Sequence, residues 1–379
     1  MFQTLVNSFK NKDVRTKIFL TLFLLLVYRI GSWLPVPGIS SEVYQSATGD
    51  TFLGLLNAIT GNALKNGAIL AIGISPYINA SIIIQLLSVA IPALERLSKR
   101  GEEGRDKITQ ITRYFTLFLA FAQALGIVIS WSNNSGIDTT VFGEKTPEWL
   151  ICGFVVVILV CGTAFTMWLG EKITEIGVGN GISLLIFTGI ISTGGIAIVS
   201  LFRRMAEGGE EGTFAFFELI GFLLLVVAIF LLVVFVDLAV RKVPIQYAKQ
   251  IKGRKQYGGQ STHIPIKINA SGVLPIIFAT ALVTFPQLMM STFWSGGAFY
   301  QGYMRWMGPG EPIYYIIVGL LIFGFSYFYA QIQFNPEEVA RNIQTYGGFV
   351  PGIRPGKPTA DYLGRISKRL TFFGAVFLT

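Results

Sequence analysis

Two cysteines, Cys152 and Cys161, and one histidine, His263, are all the thiol and imidazole chemistry in this chain of 379 residues. A structural zinc site takes four such ligands, so neither a metal centre nor a disulfide framework is expected. The cysteines stand nine residues apart on one predicted helix, which sets them about 13.5 Å apart along its axis and on opposite faces. They cannot pair with each other. The glycine-rich run GVGNG, Gly177 to Gly181, lies at the edge of an apolar segment, with no strand before it and no phosphate-binding lysine after it. No nucleophile, base and orienting group converge, so no catalytic residue and no cofactor are expected.

The remaining polar chemistry lies inside apolar runs. Arg29, Glu218 and Asp237 fall near the ends of such runs, where interfacial or paired charges are the rule. A secondary transporter of a small solute, the alternative reading of this chain, needs ionisable groups at the bilayer midplane to bind its coupling ions. Gln85, Gln123 and Thr284 lie deeper, where amide and hydroxyl groups make interhelical hydrogen bonds of about 0.6 to 2 kcal/mol. Bonds of that strength hold helices together and still exchange.

The elements that position these side chains are membrane helices. The chain is 52% hydrophobic and 13% charged, with a mean hydropathy of +0.59, whereas a soluble domain carries roughly 25% charged residues. Apolar runs long enough to cross a bilayer predict an all-α polytopic membrane protein. Its spans lie near 17–34, 72–94, 109–131, 149–170, 181–201, 214–237, 269–293 and 312–333, with a ninth starting at about 370. Ahead of them, residues 1–16 place Phe2, Leu5, Val6 and Phe9 beside Lys10, Lys12 and Arg15, the pattern of an amphipathic helix on anionic lipid. With the N-terminus in the cytoplasm, alternation of sides puts most of the 30 Lys and Arg inside and only Lys65, Lys145, Arg203, Arg204 and Arg305 outside. That asymmetry is what the positive-inside rule requires.

One span is unusual. AILAIGISPYINASIIIQLL, residues 68–87, is interrupted near its start by Gly73 and Pro76, which suits a helix buried in a bundle or lining a cavity. Ile74 and Ile78 share a helix face, as do Ile182 and Ile186, while Ile277 follows Pro275 in another interrupted span. Isoleucine is stiff and apolar, so a ring of such side chains can exclude water and ions. The spacing alone equally suits ordinary packing. In the short segment 51–66, Leu53, Leu56 and Ile59 can share one face, while Gly54 and Gly61 each weaken a helix by about 1 kcal/mol. A small displaceable helix and a loop that merely covers the bundle are both compatible with it.

Four segments together resemble the SecY family of protein-conducting channels: GISPYINASIIIQLL at 73–87, GVGNGISLLIF at 177–187, YAKQIKGRKQYGGQSTHIPIKINASGVLPIIF at 247–278 and FNPEEVARNIQTYGGFVPGIRPGKPTADYL at 334–363. The resemblance implies a helical bundle of two pseudo-symmetric halves, 17–201 and 214–379, around an hourglass pore, with about nine of ten spans present. It implies a pore ring of Ile74, Ile78, Ile182, Ile186 and Ile277, a plug at 51–66 carrying Leu53, Leu56 and Ile59, and a lateral gate involving Gln85, Gln123 and Thr284. Those three polar groups can equally be glue within one half. The function implied is passage of unfolded preproteins across the cytoplasmic membrane of a bacterium, with apolar segments released sideways into lipid.

Two basic segments, 240–268 and 334–369, are the docking loops in this reading. Val240 to Lys267 carries seven Lys or Arg and no Asp or Glu, interleaved with Tyr247, Tyr257 and His263, and the second segment adds six basic residues. Such loops attract anionic lipid, RNA or an acidic protein surface. The resemblance assigns them to the ribosome and the SecA motor ATPase, with Lys249, Arg254, Lys255 and Arg354 in contact. It also implies the small partners SecE and SecG, and a signal sequence as substrate.

Overall fold

Inside a bilayer every backbone amide must be satisfied within its own segment, and long apolar runs therefore fold as helices. The computed structural model describes residues 10–39, 57, 59–98, 100–133, 147–207, 209–247, 250–252, 255–257, 261–269, 271–293, 298–308 and 311–379. In chain order its elements are α1 (Lys12–Gly31), α2 (Ser75–Ala90), α3 (Pro92–Ser98), α4 (Glu102–Asn133), α5 (Glu148–Ile176), α6 (Gly181–Glu207) and α7 (Gly209–Leu238). Then come β1 (Val240–Tyr247), β2 (Gln250–Lys252), β3 (Lys255–Tyr257), β4 (Ser261–Lys267), α8 (Leu274–Phe293), α9 (Ala298–Met307), α10 (Pro312–Gln333), α11 (Pro336–Thr345), β5 (Gly348–Phe349) and α12 (Lys357–Leu378). Among the described residues, five helices are long and apolar enough to cross a membrane, and a sixth span results if α2 and α3 are counted together. The sequence also placed spans over α1, α8 and the second half of α12, which are shorter or more charged.

The chain divides into two compact units, residues 1–208 with 284–311, and residues 209–283 with 312–379. In the first, α4 lies against both α2 and α5. Its core joins Ile72 to Ala124, Ile127 and Trp131 of α4 and to Val155 and Leu159 of α5, each at most 2% exposed. Buried hydroxyls return their hydrogen bonds to their own helix, Thr116 to the Thr112 carbonyl and Thr166 to the Gly162 carbonyl, so these groups are satisfied within the apolar interior. In the second unit α10 packs on α12, with Phe323 meeting Phe372 edge-on at 5.9 Å.

Two expectations about interrupted helices are corrected. Gly73 and Pro76 do not break a helix: α2 begins at Ser75 with Pro76 in its first turn, the one place where a missing N–H costs nothing. Gly73 lies ahead of it at φ +62°. The bend falls instead between Ala90 and Pro92, where α2 gives way to α3. Pro275 likewise opens α8, and the proline inside that helix is Pro286.

The two basic segments are not loops but a small folded layer. Strands β4, β1 and β5 form an antiparallel sheet in that order, with Val243 opposite Ile264 and Gln246 opposite Phe349. Alternation along β1 buries Val243 and Ile245 and exposes Lys242, Pro244 and Gln246, and these two side chains join Ile266, Ile343, Val350 and Leu363 in a core of their own. Strand β5 pairs only with Gln246 and Tyr247. Among the described residues the sheet therefore has an open edge at Pro244, which a residue without an N–H tolerates.

Candidate functional site

The segment that leads into α2 is organised by one side chain. Asn57, 8% exposed, donates from Nδ2 to Asn62 Oδ1 at 2.7 Å and accepts at Oδ1 from the Lys65 amide at 2.8 Å. Its backbone carbonyl accepts from the Asn62 amide at 2.8 Å. These bonds turn residues 57–67 back on themselves, and Val36 N–H to the Gly67 carbonyl and Ile69 N–H to the Leu34 carbonyl tie the end of the turn to the chain after α1. Asn57 and Ile59 are helical and Ile59 is half-buried. Leu53 and Leu56, the other two expected plug residues, lie outside the described residues.

Two contacts pin this turn to the bundle. Arg29 of α1 donates from Nη1 to the Gly61 carbonyl at 2.9 Å, with its guanidinium 5.5 Å from the centre of the Trp33 ring. Gly61, at φ +68°, backs onto Gly189 of α6 so closely that a Cβ on Gly61 would stand 3.1 Å from the Gly189 Cα, and a Cβ on Gly189 would overlap the Ile59 carbonyl. Only glycine on both sides permits that approach.

Ile74, Ile78, Ile182 and Ile186 fall in one apolar cluster with Leu24, Leu70, Leu169, Ile173 and Leu185. Gly170 of α5 supplies the room, since a Cβ there would meet Ile74 Cδ1 at 3.3 Å and Ile182 Cγ1 at 3.4 Å. Ile74 is 3% exposed, whereas Ile78, Ile182 and Ile186 keep part of their surface open. The GVGNG run is the turn that sets α6 beside α5. Gly181 N–H bonds Thr174 Oγ1 at 2.9 Å, Val178 N–H bonds Thr21 Oγ1 at 3.1 Å and Asn180 Oδ1 accepts from the Ser183 amide at 3.2 Å. A side chain on Gly181 would overlap the Gly170 carbonyl. Ile277 belongs to the second unit and is half-buried there.

The expected polar residues have different surroundings. Gln85 lines a cavity of about 230 Å³ between α2 and α4 together with Tyr77, Ser81, Ser88, Thr109 and Thr112. Gln123 is 4% exposed, and its Oε1 has no hydrogen-bond partner among the described residues. Thr284 lies within α8, its side chain outside the described residues. An interaction that spacing did not reveal is the two-pronged ion pair from Arg113 of α4 to Glu171 of α5, at 2.9 and 2.8 Å. Glu218 and Asp237 both lie on the exposed surface of α7, and among the described residues no three His, Cys, Asp or Glu gather as a metal site.

Of the expected docking residues, Arg354 is exposed in the turn that caps α12, where its carbonyl accepts from Thr359 Oγ1 at 2.8 Å. Lys255 lies in β3, its side chain outside the described residues, as are Lys249 and Arg254 altogether. The sheet edge exposes Arg241, Lys242 and Lys267. Nearby, a cleft of about 650 Å³ is lined by Tyr327, Glu337, Asp361, Arg365 and Lys368.

Comparison with known proteins places these observations in a lineage. The SecY family model matches residues 68–379. The chain is 44% identical to the protein translocase subunit SecY of Halalkalibacterium halodurans and 42% identical to that of Bacillus subtilis, in each case over 100% of this chain and 87% of the relative. Among solved structures, a protein-conducting channel superposes with a TM-score of 0.59 at 21% identity, over 95% of this chain and 83% of the other. The yeast Ssh1 complex bound to the 80S ribosome gives 0.63 at 15% identity, over 96% and 82%. At such identities these two likenesses speak to the fold.

Proposed function

This chain belongs to the SecY family and is a protein-translocating channel, and from that premise we propose that Ile74, Ile78, Ile182 and Ile186 form the first unit's share of its gasket, with Ile277 the further ring residue that the family resemblance implies. The observation that carries the reading is the gathering of four of these isoleucines in one cluster, with Ile74 and Ile182 against Gly170. Stiff, partly exposed aliphatic tips can close on one another to exclude water and then close around a polypeptide of any sequence. The channel is a passive conduit without a catalytic step. An apolar signal segment enters at a seam to which Gln85, Gln123 and Thr284 contribute, the segment 51–66 shifts, and the chain passes.

The driving force comes from partners. A motor ATPase of the SecA kind or a translating ribosome docks on the two basic segments, through Lys249, Arg254, Lys255 and Arg354, while SecE and SecG brace the bundle and anionic lipid meets the basic N-terminus. The membrane is the bacterial cytoplasmic membrane, with the N-terminus inside. In reconstituted vesicles Ile78→Ser with Ile186→Ser raises resting ion leakage, and a photo-reactive group at position 78 crosslinks to an arrested nascent chain. Unchanged leakage together with no crosslink would overturn the gasket.

A further inference from the structure

The helix α9, Ala298–Met307, is neither a span nor a loop. Four residues separate it from Pro312 at the start of α10, and four separate it from Phe293 at the end of α8. Connectors of that length reach at most about 14 Å when fully extended. If α8 and α10 each cross the membrane, a ten-residue helix tethered so closely at both ends must lie at the membrane surface. By the same condition a single crossing, α8, separates it from β4, which assigns the two to opposite sides of the membrane.

The side chains of α9 fit that position. Tyr303, Met304 and Met307 fall on one side and are half-buried, while Gln301, Gly302 and Arg305 fall on the other and are exposed. Trp306 sits on the flank between them, 61% exposed and roughly 100° from the centre of either side. Tryptophan and tyrosine concentrate at the headgroup level, where an apolar ring body and a polar edge are both satisfied, and arginine beside them reaches lipid phosphate.

We propose that α9 is an interfacial helix whose Trp306 flank inserts into the headgroup and acyl boundary of the leaflet opposite the basic sheet, with Gln301 and Arg305 in water. Its partner is the lipid surface itself. This surface anchors the connection between α8 and α10, so that the outer end of α8 is tied to the bilayer when the bundle rearranges.

The test uses the full chain in nanodiscs of phosphatidylethanolamine and phosphatidylglycerol. The emission lost on Trp306→Phe, read as a difference spectrum, is expected to be blue-shifted, strongly quenched by brominated lipid and resistant to iodide. In a Cys152→Ala, Cys161→Ala background, an environment-sensitive label on Gln301→Cys is expected to show the reverse preference. A Trp306 difference spectrum quenched by iodide as readily as the label at position 301, or shielded from both quenchers, would overturn the assignment. The first result means a water-facing helix and the second a protein contact.

Discussion

Arg29 shows how a charged residue near the end of an apolar run earns its place. Its guanidinium reaches the Gly61 carbonyl at 2.9 Å and so fixes the turn that leads towards α2, where the sequence offered only an interfacial or paired charge. A hydrogen bond from a charged donor contributes roughly 1.5 kcal/mol or more, about a tenfold shift in a two-state equilibrium. Arg29→Ala is therefore expected to raise resting ion conductance about tenfold, with Arg29→Lys recovering part of the loss; unchanged single-channel conductance in planar bilayers would count against the pinning role. Gln123 presents the opposite case. Its buried Oε1 is without a partner among the described residues, a state that costs roughly 1 to 3 kcal/mol. Gln123→Leu should raise the thermal unfolding temperature in detergent, and a fall would mean that the amide is engaged within the first unit.

At the scale of elements, the basic segments 240–268 and 334–369 are the clearest surprise, because charge count alone read them as loops. The alternation of Val243 and Ile245 with exposed neighbours was present in the sequence, but eight residues in period two are outweighed by the charges around them until a second strand supplies the pairing. The six-residue core of that layer separates folding from docking. Ile245→Ser removes a side chain that is 2% exposed and should unfold the layer, detected as rapid proteolysis between β1 and α12. Arg354→Glu, at an exposed turn, should leave proteolysis unchanged while abolishing SecA-stimulated transport. Equal protease sensitivity in the two variants would show that Arg354 is structural. The GVGNG run is similar in kind: its glycines serve the close approach of α6 to α5 at the Gly170 carbonyl, not a phosphate.

For the whole molecule the testable quantity is topology. The bias of Lys and Arg predicts that the sheet faces the cytoplasm and the Asn57 turn the outside. In sealed cells, and without the native cysteines, Lys65→Cys should react with a membrane-impermeant maleimide, whereas Lys357→Cys should react only after permeabilisation. Both positions are exposed, so protection reports the side of the membrane rather than burial, and the reverse pattern would invert the assignment. The apolar surface of α7, with Phe217, Leu224, Phe230 and Phe235 exposed, has the same logic, since facing lipid tails carries no hydrophobic penalty.

Membrane class, the order of the apolar helices and the family were legible in the sequence, because hydropathy over some twenty residues and long motifs are one-dimensional signals. The isoleucine pairs at 74 and 78 and at 182 and 186 were legible as helix faces for the same reason. What the tertiary structure decided is which faces meet: that the two pairs join one cluster in which Ile74 and Ile182 meet at Gly170, that Arg29 closes on Gly61 across 32 residues, and that Val243 shares a core with Ile343 a hundred residues away. Each is a contact between segments distant in the chain. Close packing selects such contacts by shape and by the presence or absence of a single Cβ, and local periodicity carries no record of the partner.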